Sequence, residues 1–207
     1  GPDFSPNSGI LLDSLGALGV TPEDVTDIIF THAHPDHLWG LLDDFDDPLF
    51  PSASYMIGKT EWDYWMHPNT IDKVDESRAS FVVGAQRRLS MIEDQIKLFE
   101  DGEEIMSGIA ARATGGHTPG HMALEVRNGS ESVMVLGDSI GNDHIAFARP
   151  GWISGSDQDP ETAAATRTVL MDQLSHEKTR VIGYHLTGNG TGYVDKTSDG
   201  YAFVAEA

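Results

Sequence analysis

Apolar positions along the chain follow two rhythms, one helical and one extended. Residues 9–18 place them at helical spacing, and Thr21-Pro22-Glu23-Asp24 has the form of a helix start, with proline at the first position and acids in the first turn. Residues 27–30 form a short β-branched run that predicts a strand, and residues 38–42 predict a short apolar helix. After a turn at 48–51, the pattern predicts a strand over 54–57 and a helical turn over 60–66 carrying Trp62, Tyr64 and Trp65. Residues 72–94 are helical in pattern, with Val74, Ala79, Val82, Val83, Leu89 and Ile92 as core positions.

The second half reads mainly as strands. They are predicted over 96–99, 104–105, 109–113, 123–126 and 133–136, the last two joined by the turn Arg127-Asn128-Gly129-Ser130. An amphipathic helix is predicted over 160–174, with Ala164, Thr168, Val169, Met171 and Leu174 inward. Residues 181–184 predict a buried strand, and 193–194 with 201–204 a terminal hairpin. Strands and helices mix with no repeat, low-complexity tract or linker, so one α/β domain over residues 1–207 is expected.

Composition narrows the classes. A formal net charge of −20 argues against nucleic acid and anionic membrane as partners. No apolar run reaches the length of a transmembrane span, and residues 1–6 lack the basic and apolar regions of a signal peptide. A soluble protein of the cytoplasm or periplasm is expected. There is no cysteine, which removes disulfides and thiolate metal sites. Any metal must be held by His, Asp or Glu, a donor set that favours an open, catalytic site over a closed structural one.

Such a donor set is concentrated in Thr31-His32-Ala33-His34-Pro35-Asp36-His37, directly after the strand at 27–30. A lone histidine is ordinarily a surface or core residue. Three imidazoles and a carboxylate in six residues point instead to metal binding. Four donors so close cannot all reach one ion without contorting the loop. His32 and His34 could share one ion, and Asp36 and His37 could serve a second. Three further donors each stand just past a predicted strand: His117 after 109–113, Asp138 after 133–136 and His185 after 181–184. Loops at one edge of a layered α/β fold converge to make sites. Gly115, Gly116, Gly137 and Gly183 beside these donors permit sharp turns and close approach.

Taken together, His32-x-His34-x-Asp36-His37, the Gly116-His117 loop, Gly137-Asp138 and the late His185 resemble the metallo-β-lactamase superfamily, in order and relative spacing along nearly the whole chain. The stretch from Phe30 to Leu41 and the loop Gly116-His117-Thr118-Pro119-Gly120-His121 look closest to the branch of methyl parathion hydrolase and related lactonases and esterases. The resemblance implies an αββα sandwich. It implies two divalent ions, zinc first, with iron or manganese as other candidates. His32, His34 and His117 would bind one, Asp36, His37 and His185 the other, and Asp138 would bridge them. It implies hydrolysis of an ester, lactone or phosphotriester by a metal-activated hydroxide, with Asp36 and Asp138 as catalytic carboxylates, Asp36 also steering a proton. Only 31 residues precede His32, fewer than in that family, so its N-terminal strands are expected to be missing. Another segment or chain, or a second copy, would then complete the sheet.

Aromatic residues and a spare histidine outside the donor set suggest where substrate lies. Trp39, Trp62, Trp65, Phe147 and Trp152 are candidates for an apolar wall, and His144 for a substrate contact. His121 could stand behind the metal ligands, while His67 and His176 read as surface residues. Two other readings compete with a hydrolase acting on a small molecule: an iron-dependent redox enzyme of the same superfamily, and a metal-binding module without turnover. A nuclease role is opposed by the charge.

Overall fold

The computed structural model describes residues 9–206, which form two compact units. One holds the described residues through Ile57 together with Trp62–Leu98; the other holds Gly58–Glu61 and the described residues from Phe99 onward. Residues 1–6, in which the sequence shows no signal-peptide pattern, lie outside the described residues.

The first unit contains helix α1 (Leu11–Ala17), strand β1 (Asp27–Phe30), the one-turn helix α2 (Pro35–Leu38), β2 (Ser54–Gly58, through Ile57), α3 (Lys59–Met66, from Trp62 onward), α4 (Ala79–Ser90) and β3 (Ile96–Phe99, through Leu98). Its sheet has the order β1-β2-β3, with β1 parallel to β2 and Phe30 opposite Ile57. A parallel pair requires a crossover, and here that crossover carries the His-rich motif. Phe30, Leu38, Tyr55, Ile57, Trp65, Val82, Ala85, Leu89 and Ile92 make the core. On α4 the buried positions 82, 85 and 89 recur at three and four residues. Val83 stands about 100° round the helix from Val82 and is exposed, so it is not the core residue expected. The expected long helix also starts late: Glu76–Arg78 is a 3₁₀ turn, and Val74 and Ala79 are half-buried. On α1 most apolar side chains are exposed and only Leu15 packs against this core.

The second unit carries a seven-stranded sheet of β4 (Glu104–Met106), β5 (Ile109–Ala113), β6 (Met122–Asn128), β7 (Glu131–Val135), β8 (Arg180–Ile182), β9 (Thr191–Lys196) and β10 (Tyr201–Ala205). The strand order is β10-β9-β8-β7-β6-β5-β4. β6 and β7 form the expected hairpin, with Asn128 opposite Glu131 around Gly129-Ser130, and β9 and β10 form the terminal one. Between β7 and its parallel neighbour β8 the chain runs through the short helix α5 (Ile145–Ala148) and the long helix α6 (Pro160–Glu177).

Helix α6 begins where the sequence directs it to. The Asp159 carboxylate accepts the N–H of Thr162 at 3.1 Å, and Pro160 occupies the first turn. Its buried face is Ala163, Ala164, Arg167, Leu170, Met171 and Leu174. Thr168 and Val169, expected inward, are exposed because that face is set by the stripe through 163, 167, 170 and 174. Strand β8 is shorter than expected, and only Val181 of its three residues is buried, since alternate side chains leave the sheet on opposite faces. Ile182 and Tyr184 are exposed. No helix among the described residues is long and apolar enough to cross a membrane.

Strand direction determines what this sheet presents. β6 runs antiparallel to both β5 and β7, and β8 runs parallel to β7. The C-terminal ends of β5, β7 and β8 therefore share one edge, from which His117, Asp138 and His185 follow.

Candidate metal centre

In the first unit, β1 ends at Phe30 and Pro35 opens α2. Residues 32–34 are not helical, so His32 and His34, two apart, can serve one side of the chain. Proline at the first helical position then turns Asp36 and His37 into a helical turn. The imidazoles are packed together: His32 and His34 meet edge to face at 4.8 Å, and His32 and His37 lie 4.2 Å apart, centre to centre. His37 Nε2 is 3.5 Å from the Asp36 carboxylate. His32 and His34 are buried, whereas Asp36 keeps an open side. Thr31 Oγ1 lies 3.1 Å from His32 Nδ1, and Trp65 and Phe81 each stand edge-on to His34 at 5.7 Å. One unit thus gathers His32, His34, Asp36 and His37 in a compact group with restrained rings.

In the second unit, two imidazoles meet at one carboxylate oxygen. Asp138 Oδ2 is 3.2 Å from His185 Nε2 and 3.4 Å from His117 Nε2. His117 and Asp138 are buried; His185 is part-exposed, with Tyr184 edge-on to its ring at 4.8 Å. The Asp143 carboxyl is held below its ordinary value chiefly by its hydrogen bond with Thr187, and the Thr187 N–H donates to it at 3.1 Å. That bond ties the loop after Asp138 to the loop after His185.

Polar groups behind these donors hold them in place. His121 is fully buried; its Nε2 accepts the backbone N–H of Asp138 at 2.9 Å, and its Nδ1 faces Thr114 Oγ1 at 2.8 Å. His121 is expected behind the candidate donors, and it contacts the backbone of one of them, Asp138. Asp157 and Glu61 were not anticipated. Asp157 Oδ1 stands 3.0 Å from His117 Nδ1, and its Oδ2 is 3.4 Å from Arg167. Glu61 is buried, and its Oε2 accepts the Thr118 hydroxyl at 2.7 Å and the Gly120 N–H at 3.1 Å, clamping the loop that carries His117. The one signal in the sequence was Arg167: an arginine on the apolar stripe of α6 demands a buried acceptor. No local pattern pointed to Asp157 or Glu61.

The expected apolar wall divides. Trp65 and Phe147 are both buried and belong to the two cores, so neither lines an open cleft as expected. Trp39 lies under the Arg88 guanidinium at 4.6 Å and against Gly84, where a Cβ would come within 2.7 Å of its ring. Trp62 is half-buried, and Trp152 is largely exposed. His144 is exposed, with Nε2 3.4 Å from Asp143. His67 and His176 are exposed, as expected.

Imidazole nitrogens and carboxylate oxygens without thiolate suit zinc and similar divalent ions. The chain is 24% identical over 185 residues to N-acyl homoserine lactonase AttM of Agrobacterium fabrum, covering 84% of this chain and 63% of AttM. It therefore spans under two thirds of that relative's length. Among solved structures it is similar to AidC, described as a dizinc quorum-quenching lactonase in complex with a product, with a TM-score of 0.91 and 31% identity over 97% of this chain and 70% of AidC. It is also similar to the hydrolase AbOPH, with a TM-score of 0.89 and 26% identity over 96% of this chain and 70% of that one. AttM and AidC are lactonases, so these relatives do not single out methyl parathion hydrolase within the expected branch. The sequence pattern of the metallo-beta-lactamase superfamily matches residues 4–183, and the chain belongs to that superfamily and has its α/β fold.

Proposed function

We propose that the chain forms the hydrolytic domain of a dinuclear lactonase. His32, His34 and His117 would hold one divalent ion and Asp36, His37 and His185 a second, with Asp138 as a ligand shared by both. The observation that carries this reading is the meeting of two imidazoles from different loops on Asp138 Oδ2. A buried carboxylate flanked by two Nε2 atoms suits a shared ligand, and the lactonase relatives favour zinc and a lactone.

When bound, the ions supply Lewis acidity that makes water nucleophilic near neutral pH and polarises the substrate carbonyl. The chain's own residues do the rest. His121 and Asp157 hold Asp138 and His117 in register. Asp36, with an open side, takes up and passes on a proton at its carboxylate. Trp62, Trp152 and His144 face the substrate. An N-acyl homoserine lactone is the favoured substrate class, with simple esters and phosphotriesters as the alternatives.

Elemental analysis of protein purified without chelator should return about two transition-metal ions per chain. N-hexanoyl homoserine lactone should be opened faster than an aryl ester or paraoxon. Asp138→Ala should lose metal and turnover; full activity in that variant would sink the dinuclear reading. Metal bound without hydrolysis of any of the three substrates would leave a non-catalytic module. Iron with a visible absorption band, again without hydrolysis, would favour the redox reading.

A further inference from the structure

We infer that Asp157, held by Arg167, is a positioning residue that selects the tautomer of His117 and so makes Nε2 the donor atom turned toward Asp138. Asp157 is nearly fully buried and touches both partners. Its Oδ1 is 3.0 Å from His117 Nδ1, and its Oδ2 is 3.4 Å from the Arg167 guanidinium. A carboxylate can only accept. Both ring nitrogens face such an acceptor, Nδ1 at 3.0 Å from Asp157 and Nε2 at 3.4 Å from Asp138; the shorter contact, on the carboxylate that Arg167 holds, places the proton of the neutral ring on Nδ1 and leaves the Nε2 lone pair turned toward Asp138.

The arrangement is built from three places in the chain. His117 lies in the loop after β5, Asp157 in the loop before α6, and Arg167 two turns into α6. Arg167 also donates to the carbonyls of Pro150 at 3.0 Å and Trp152 at 2.9 Å, so it spans the whole loop that presents Asp157. Two backbone bonds lace the same loop to the His117 loop: Gln158 N–H to the His117 carbonyl at 3.1 Å and Asp159 N–H to the Gly116 carbonyl at 2.9 Å. The carboxylate is thus fixed at both oxygens, and the ring it faces has little freedom to turn. His121 shows the same logic with the opposite partner. There a backbone N–H donates to Nε2, so the proton of the neutral ring sits on Nδ1 and goes to Thr114.

This inference rests on the reading of His117 as a metal ligand, but its decisive measurement uses metal-free protein and can fail separately. Long-range ¹⁵N–¹H correlation of the full chain, at a pH where the imidazole is neutral, should show His117 with the proton on Nδ1. Asp157→Ala should shift the tautomer ratio toward Nε2–H, and Asp157→Asn should give a mixture, because a side-chain amide can accept or donate. Zinc affinity, titrated directly, should fall on the order of 10–100-fold in Asp157→Ala. A wild-type His117 protonated on Nε2 would overturn the inference, as would an unshifted ratio in a folded Asp157→Ala. If Asp157→Ala does not fold, the wild-type spectrum and the isosteric Asp157→Asn decide alone. A correct tautomer in a protein that opens no lactone would leave the inference standing and the proposed function refuted.

Discussion

The backbone N–H of Asp138 donates to Nε2 of His121 at 2.9 Å, seventeen residues away in sequence and wholly buried. A main-chain group is thereby pinned to a side chain beside the oxygen on which His117 and His185 meet. Replacing His121 with Phe removes the acceptor and keeps an aromatic ring. The expected cost is about 1–3 kcal/mol in urea unfolding of the metal-free protein. Zinc affinity should fall about 10–100-fold, since Asp138 loses its brace. Unchanged zinc affinity would show that Asp138 is held by other means.

Gly116 should not tolerate a side chain. Its φ is +124°, and a Cβ there would stand 2.3 Å from the Ala163 amide nitrogen, backbone that cannot swing aside. Gly116→Ala should destabilise by about 2–4 kcal/mol and disturb the His117 loop. Gly102, with φ +77° and open space around it, is the control. There alanine should cost only about 1–2 kcal/mol, the left-handed penalty alone. Equal losses at the two sites would contradict the close approach of Ala163.

The aromatic residues should separate by role. Trp65 is buried in the first unit's core and touches His34, so Trp65→Ala should cost about 3–5 kcal/mol. Trp152 is 61% exposed, and Trp152→Ala should leave stability within about 0.5 kcal/mol. If Trp152 faces substrate as proposed, the same variant should raise KM for long acyl chains more than it lowers kcat. Matching thermal midpoints for the two variants would refute the assignment.

Acid should act on α6 through its cap. The Asp159 carboxyl is held below its ordinary value, first by the Thr162 hydroxyl and then by the Thr162 N–H. A carboxyl with a depressed folded pKa stabilises fully above its unfolded pKa, near 3.9. That contribution is lost as pH falls through the lower folded value. Asp159→Asn keeps a capping oxygen but cannot titrate. Thermal midpoints should therefore differ between wild type and Asp159→Asn above pH ~4 and converge below it. A difference that grew in acid would reverse the sign and refute the argument.

Local pattern carried most element types and the candidate donor cluster. A β-branched run followed by four donors in six residues can be read without tertiary information, because both strand preference and ligand chemistry reside in neighbouring side chains. The same holds for the hairpin at Gly129-Ser130 and the Asp159-Pro160 helix start, where one or two residues set the backbone. What needed the folded chain was direction and partnership. Val83 and Val169 are as apolar as their buried neighbours, and only the orientation of α4 and α6 turned them outward. Trp65 and Phe147 carry no mark that separates a core ring from a cleft wall. Asp157, Glu61 and Arg167 acquire their roles from groups 10 to 59 residues distant, which strand order and loop closure bring within hydrogen-bond reach. Sequence determined which atoms were available as ligands; tertiary packing decided which carboxylate faces which imidazole, because a buried polar group must find its partner wherever the fold delivers one.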